Sequence, residues 1–278
     1  MRDLFSPILR SEALMGPVLL IARLFTAPIF VFYIVNEIVK NSQMREYMET
    51  HGVPGDLIYL VLTVQIAGVA LVALGYKTRL AALTLAGFCL VTGLIFNTGA
   101  SIQILKDLAI AGGLLFMSAY GPGPLSLDAR HGRAMPVAAG AFTGTLLLMG
   151  RILAAVVFVY FGYSKVVNNP RMQDYMAEHN PFVPTFMVYP ALVLQLVAGG
   201  LLMLGYKTRY AALALLGFCI IAPVLYHNQF SNEFELIQFL KDFAIAGGLA
   251  FVFAYGAGPL SIDAHAPVPA GRALSAST

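Results

Sequence analysis

Long apolar runs without charge are the feature that most restricts what this chain can fold into. Asp, Glu, Lys and Arg are absent from 57–76, 80–105, 108–127, 181–206 and 243–262. Each run matches the roughly 20 apolar residues that a helix needs to cross a bilayer core. Charged residues make up 11% of the chain, whereas soluble domains carry about 25%. We therefore predict an all-α polytopic membrane protein in contact with the lipid bilayer. Its net charge of +3 gives no reason to expect nucleic acid as a partner.

The chain also repeats itself. LGYKTRLAAL at 74–83 returns as LGYKTRYAAL at 204–213, and LKDLAIAGGL at 105–114 returns as LKDFAIAGGL at 240–249. This predicts two related units, 1–134 and 135–278, each a four-helix bundle. With an even number of spans per unit, both units enter the membrane from the same side, and we expect a pseudo-two-fold axis along the membrane normal. The predicted spans are 15–39, 56–75, 79–98, 104–121, 143–167, 184–205, 209–227 and 237–256.

The repeated LGYKTR segment predicts a turn between the second and third spans of each unit. Gly75 and Gly205 can adopt the backbone conformation that ends a helix. Lys and Arg are more numerous on the face of the protein that holds these turns, and Asp and Glu are more numerous on the other face. Because basic residues favour the cytoplasmic side, both termini are predicted to be cytoplasmic.

Two short segments outside the spans show helical spacing of Met and Tyr. They are MREYMETH at 44–51 and MQDYMAEH at 172–179. This spacing predicts a short amphipathic helix in each unit, lying on the outer surface of the membrane. Such a helix could cover the bundle or act as a lid over a lipophilic site.

Several of these motifs resemble the DoxX family of bacterial membrane proteins, present here as a fused pair. The resemblance rests on an Arg in the first span of each unit, FGYSK at 161–165, the repeated turn, His227, and the block from 239 to 263. The first unit departs from the pattern, with Glu37 and Asn97 where the second has Lys165 and His227. A DoxX-like relative forms the large membrane subunit of a thiosulfate:quinone oxidoreductase, and other members are associated with complexes that handle thiol and oxidative stress.

The resemblance implies an inner-membrane subunit of a thiol- or thiosulfate-linked redox system, with a protein partner and quinone as the candidate cofactor. The residues suggest a polar pocket at the outer end of the second bundle, where His227 and Lys241 would donate to quinone carbonyls. Ionisable groups within spans are functional candidates, and His227 could also move protons. The other reading is that these groups are solvated or paired structurally. The pocket residues would be His227, Lys241, Asp242, Lys165 and the deeper Gln195.

One arginine lies inside the first span of each unit. A buried Arg is costly unless a carboxylate pairs with it, so we expect Arg23 to pair with Asp128 and Arg151 with Asp263. These pairs are read as structural clamps, with anionic lipid or substrate contact as the alternative. The spacing of His, Glu and Cys fits no metal-binding motif, so no metal is expected.

Two other functions stay open at this stage. A transporter or channel for a small solute would require polar groups along the depth of a bundle, where the sequence offers mainly Gln65 and Gln195. A scaffold of a membrane complex would require none. Whether the chain is an enzyme is open, and the departures at Glu37 and Asn97 suggest that the first unit has lost a site that the second retains.

Overall fold

The computed structural model describes residues 11–97, 99, 101–132 and 140–265. The described residues form helices and connections without any strand. Single 3-10 turns at Gly55–Leu57 and Thr185–Met187 lead into the helices that begin at Ile58 and Val188. The helices are α1 (Glu12–Val39), α2 (Asn41–Thr50), α3 (Ile58–Leu74), α4 (Thr78–Phe96), α5 (Ser101–Tyr120), α6 (Leu127–Arg130), α7 (Ala141–Val167), α8 (Asn169–His179), α9 (Val188–Leu204), α10 (Thr208–Tyr226), α11 (Glu233–Tyr255) and α12 (Ile262–His265).

Eight helices of the described part of the chain are long and apolar enough to cross a membrane. They are α1, α3, α4, α5, α7, α9, α10 and α11, and they confirm the predicted spans and a multi-pass membrane protein. One difference is at α11, which begins at Glu233 rather than 237. The side chain of Asn232 accepts a hydrogen bond from the backbone N–H of Phe234 at 3.0 Å, and this cap starts the helix early. The predicted boundary between units, at 134 and 135, lies outside the described residues, as do both termini.

The two ends of the helical assembly differ. One end, the turn face, holds the two LGYKTR segments. The opposite end, the surface-helix face, holds α2 and α8, which confirm the two short helices predicted from the Met and Tyr spacing. Met48 and Met176 anchor them, each with 6% of its surface exposed. The hydroxyl of Tyr47 donates to the carbonyl of Phe96 at 3.2 Å, so α2 also closes against the end of α4.

The helices of the two units are packed closely against each other. The first helix of each unit packs against the last helix of the other unit: α1 against α11, and α7 against α5. Small residues allow the helices to pack this closely. A side chain on Gly247 would clash with the carbonyl of Ala22 in α1, and one on Gly112 would clash with that of Gly150 in α7. The units are therefore interlocked through their first and last helices.

The last helices of the two units also pack against each other at the centre of the protein. A Cβ on Gly113 of α5 would lie 2.5 Å from the Cα of Gly248 of α11. Farther along, the rings of Tyr120 and Tyr255 stack with centroids 4.2 Å apart. In both cases residues at equivalent positions of the two repeats meet, as a two-fold relation would require. The axis itself stays a prediction.

The LGYKTR turns have the expected left-handed glycines, with φ of 68° at Gly75 and 70° at Gly205. The following Lys77 and Lys207 also have positive φ, at 46° and 47°, which the sequence did not suggest. A non-glycine residue in this conformation needs support from its surroundings.

That support comes from an aspartate at the end of each unit. The carboxylate of Asp128 accepts hydrogen bonds from the backbone N–H groups of Lys77, at 2.9 Å, and Thr78, at 3.0 Å. The N–H of Asp128 donates to the carbonyl of Gly75 at 2.8 Å. Asp263 repeats the arrangement with Lys207 and Thr208. Each aspartate thus caps the N-terminus of the third span from a distant part of the chain.

The buried arginines bind backbone carbonyls of the same region. Arg151 donates to the carbonyls of Met203 at 3.2 Å, Ala257 at 2.7 Å and Leu260 at 2.7 Å. Arg23 donates likewise to the carbonyls of the second span and of Leu125. The guanidinium groups thereby satisfy carbonyls in the last turn of the second span of each unit and in the connection that follows its last span.

The predicted ion pairs were therefore wrong in their geometry. Among the described residues, no ion pair joins Arg23 to Asp128 or Arg151 to Asp263, because each partner is taken up by the backbone. Arginine and aspartate still act on one structure, since they hold the same turn from two sides. Their role as clamps of the fold rests on these backbone contacts.

We expect Asp128→Ala to lower the free energy of unfolding by about 2 kcal/mol, the upper end for a helix cap, because it leaves two backbone donors unpaired at a buried site. Asp263→Ala is the matched control. Asp263 is exposed, whereas Asp128 has 6% of its surface exposed, so water can replace the lost acceptor at Asp263. Thermal unfolding of the detergent-purified variants measures both effects. Equal losses would contradict this account of the cap.

Candidate functional site

Two buried ion pairs connect the units near the surface-helix face. The ammonium of Lys106 lies 2.6 Å from the carboxylate of Asp242, and that of Lys241 lies 2.6 Å from Asp107. The side chains of Lys106 and Lys241 are 6% and 1% exposed. The two pairs are reciprocal, since each joins a lysine of one unit to the equivalent aspartate of the other. Lys and the following Asp point about 100° apart on a helix, so each helix presents them to different neighbours.

Further polar side chains meet at the surface-helix end of α5, α7, α9, α10 and α11. The Nδ1 atom of His227 is 2.6 Å from the carboxylate of Glu235, and its Nε2 atom is 4.0 Å from that of Asp242. Lys165 donates to the side-chain oxygen of Gln195 at 2.8 Å and interacts electrostatically with Asp242. The structure thus brings four of the five predicted pocket residues together. The second cluster comprises Lys106, Lys165, Gln195, His227, Glu235 and Asp242.

Lys241 does not join this group, which corrects the predicted pocket. Besides its pair with Asp107, Lys241 donates to the side-chain oxygen of Gln103 at 2.8 Å, so its contacts lie in the first unit. Lys106 takes the corresponding place beside Asp242 and His227. The exchange of lysines between units follows from the packing of α5 against α11.

The surroundings of His227 shift its pKa below the usual value for histidine. Burial lowers its pKa, the cation of Lys106 lowers it further, and the carboxylates of Asp242 and Glu235 oppose this shift. A carboxylate can only accept, so Glu235 favours the tautomer with the proton on Nδ1. The histidine is therefore oriented by Glu235, a partner that the sequence analysis did not identify.

A cavity of about 250 Å³ lies in the first unit, behind α2. Its walls are mainly apolar and include aromatic rings from α1 and α4. At one side the walls carry the polar groups of Tyr33, Glu37, Gln65, Asn97 and Asp107. The apolar lining includes Ile29, Phe30, Met44, Met48, Ile58, Val61, Phe88, Cys89, Phe96 and Ile110.

The polar side of this cavity consists of two hydrogen-bonded groups of side chains. The amide nitrogen of Gln65 in α3 donates to both carboxylate oxygens of Glu37 in α1, at 2.7 and 2.8 Å. Asn97, which follows α4, donates to Asp107 of α5 at 2.6 Å, and Lys241 of α11 pairs with the same carboxylate. These residues, Glu37, Gln65, Asn97, Asp107 and Lys241, form the first cluster.

The two clusters occupy equivalent places but differ in charge. Glu37 stands where the second unit has Lys165, and Asn97 stands where it has His227, while Gln65 and Gln195 are the same. The sequence analysis treated Glu37 only as a departure from the family pattern. An ionisable residue inside an apolar span was the signal that could have identified it as a site residue. The cavity thus lies in the unit for which the sequence suggested a lost site.

Two inner membrane proteins of Escherichia coli are similar to part of this chain. Inner membrane protein YqjF of Escherichia coli strain K12 is 33% identical over 117 residues, which are 42% of this chain and 88% of that protein. Inner membrane protein YphA of the same strain is 28% identical, over 45% of this chain and 92% of that protein. Each of them therefore has about the length of one unit.

A yeast relative matches across both units. The ER-derived vesicles protein ERV29 of Saccharomyces cerevisiae is 25% identical over 222 residues, or 73% of this chain and 61% of that protein. No solved structure matches this chain. The family model described as DoxX matches it twice, over residues 18–98 and 146–228. Since these two segments cover more than half of the sequence, the chain belongs to the DoxX family.

Proposed function

We propose that this protein is an inner-membrane subunit of a bacterial redox system and that it holds the head group of a quinone-type molecule in the cavity of the first unit. The observation that carries the proposal is the combination of aromatic and aliphatic walls with a buried polar side. Ligand sites commonly pair an apolar lining with a few polar groups that orient the ligand. The names of the two Escherichia coli relatives support the inner membrane as the location.

The size of the cavity supports a ring-sized ligand. Its volume of about 250 Å³ is below the range of about 300–1,000 Å³ that is typical for drug-sized molecules. A substituted ring can stack against Phe30, Phe88 or Phe96, while a long apolar tail would extend outside the cavity toward lipid. Molecules with this division into a polar ring and an apolar tail are concentrated in the bilayer that surrounds the protein.

The electrons of such a system would come from a partner. The chain has two cysteines, Cys89 and Cys219, which are both free and buried and lie in different units. We therefore propose a protein partner or a soluble thiol-type donor at the surface-helix face. The bias of basic residues to the turn face supports cytoplasmic termini, which would place the two clusters near the outer surface of the membrane.

The binding test uses a short-chain quinone and the full chain in detergent. A ligand that binds only the folded state raises the unfolding temperature with concentration. Both cysteines are buried, so a thiol-reactive dye reports unfolding directly. We expect the quinone to raise the transition in the wild type, and Thr92→Phe, which fills the cavity, to weaken binding at least tenfold.

The control is Ala222→Phe at the equivalent position of the second unit, for which we expect wild-type binding. Native mass spectrometry of the purified protein checks for retained quinone. If no quinone analogue shifts the transition and none is retained, the quinone proposal fails, and a scaffold or a transporter becomes the better account. If Ala222→Phe abolishes binding and Thr92→Phe does not, the ligand binds in the second unit instead.

A further inference from the structure

The side-chain amide of Gln65 is hydrogen-bonded through its nitrogen but not through its oxygen. Its nitrogen donates to both oxygens of Glu37, so the amide is oriented with its nitrogen toward this side chain. Gln65 has 1% of its surface exposed and lines the cavity. Its carbonyl oxygen is one of the buried side-chain atoms that have no hydrogen-bond partner among the described residues. Buried polar atoms are normally satisfied, so this acceptor indicates a missing donor.

Several donors around the cavity are engaged with protein acceptors. The hydroxyl of Thr92 donates to the carbonyl of Phe88 at 2.8 Å, and that of Tyr47 donates to Phe96. The amide of Asn97 donates to Asp107. Among the described residues, the hydroxyl of Tyr33 has no such hydrogen bond, so it can donate or accept. A ligand in the cavity therefore meets mainly acceptors, namely the oxygen of Gln65 and the carboxylate of Glu37.

The second unit shows the opposite arrangement at the same position. There Lys165 replaces Glu37, and it donates to the side-chain oxygen of Gln195 at 2.8 Å. The glutamine thus turns its oxygen toward the lysine, whereas Gln65 turns its nitrogen toward the glutamate. The opposite charges of Glu37 and Lys165 therefore decide whether the oxygen or the nitrogen of the glutamine amide is left for another partner.

We propose that the cavity prefers a head group that donates hydrogen bonds, and that for a quinone-type ligand it selects the hydroquinone over the quinone. This inference rests on the proposed function. A hydroquinone carries two hydroxyl donors, which can satisfy Gln65 and reach Glu37. The quinone of the same skeleton offers only carbonyl oxygens, which would face these acceptors without forming a hydrogen bond.

The test compares the two forms of one short-chain compound under anaerobic conditions. Equilibrium dialysis against the full chain in detergent gives both dissociation constants. We expect the hydroquinone to bind at least tenfold more tightly, which corresponds to a rise of about 30 mV in the reduction potential of the bound two-electron couple. We expect Gln65→Leu to reduce the preference below threefold, because it removes the free acceptor.

Glu37→Lys gives the decisive comparison, because it copies the arrangement of Lys165 and Gln195. With a lysine at position 37, the oxygen of Gln65 becomes the bound end and its nitrogen is free, so the preference should reverse toward the quinone. The matched control, Lys165→Glu in the second unit, should leave the preference unchanged. Thermal unfolding shows which variants are folded, and Gln65→Leu keeps the test valid if Glu37→Lys is not.

The outcomes separate the two proposals. Equal binding of both forms, or tighter binding of the quinone by the wild type, overturns the selection of the hydroquinone and leaves the quinone site in place. The absence of binding by either form overturns the proposed function as well.

Discussion

Replacing Lys241 with Met should lower the free energy of unfolding by about 3–5 kcal/mol, because it leaves the buried carboxylate of Asp107 without its cation. The side chain of Lys241 is 1% exposed and that of Asp107 is 14% exposed, so water cannot fully replace the lost partner. Asn97 still donates to the carboxylate, but one neutral donor does not balance a buried charge. Denaturant titration or thermal unfolding in detergent measures the loss.

Two further variants make this prediction specific. The double variant Lys241→Met/Asp107→Leu removes both charges and should recover most of the lost stability, because apolar residues of similar size can replace a buried pair. Lys40→Met removes the exposed pair with Glu233, whose side chains are 37% and 55% exposed, and should cost about 0–1 kcal/mol. A similar effect of Lys241→Met and Lys40→Met would show that burial does not determine the cost.

Gly248→Ala should destabilise the protein by about 1–3 kcal/mol through overpacking where α5 crosses α11. The added Cβ would lie 2.5 Å from the Cα of Gly113, and backbone cannot rotate away as a side chain can. The two central helices would have to separate. Because they carry the reciprocal Lys–Asp pairs, we also expect weaker ligand binding in the cavity, measured with the same quinone titration.

Gly217→Ala is the matched control for the central crossing. Gly217 lies in α10, and a Cβ there would meet nothing within 4 Å. Alanine favours a helix over glycine by about 1 kcal/mol, so Gly217→Ala should be neutral or slightly stabilising. If Gly248→Ala behaved in the same way, close approach of the two helices would not be a requirement of the fold.

The membrane spans could be predicted from the sequence because they depend on local properties. Runs without charged residues predicted the spans. The helix-ending glycines of the LGYKTR segments were likewise expected at Gly75 and Gly205. The spacing of Met and Tyr likewise predicted α2 and α8. Each of these features needs only residues that are neighbours along the chain.

The partners of the buried charges could not be predicted in the same way. Adjacency of Lys241 and Asp242 fixes the angle between them, but the packing of α5 against α11 decides which unit each one faces. The repeat suggested two separate bundles, and that assumption placed Lys241 beside His227. Similarly, Arg23 and Asp128 were paired by charge alone, whereas the open ends of helices offered both of them backbone partners.

The reciprocal Lys–Asp pairs have a consequence for how a duplicated protein can diverge. Two identical subunits with this interface would carry the same residue at both equivalent positions, and a change at one site would always change the other. Here both sites share one polypeptide, so Glu37 and Lys165 can differ while the interface between the units keeps its matched pairs. Joining the two units in one polypeptide thus removes the constraint of symmetry and allows their two sites to differ.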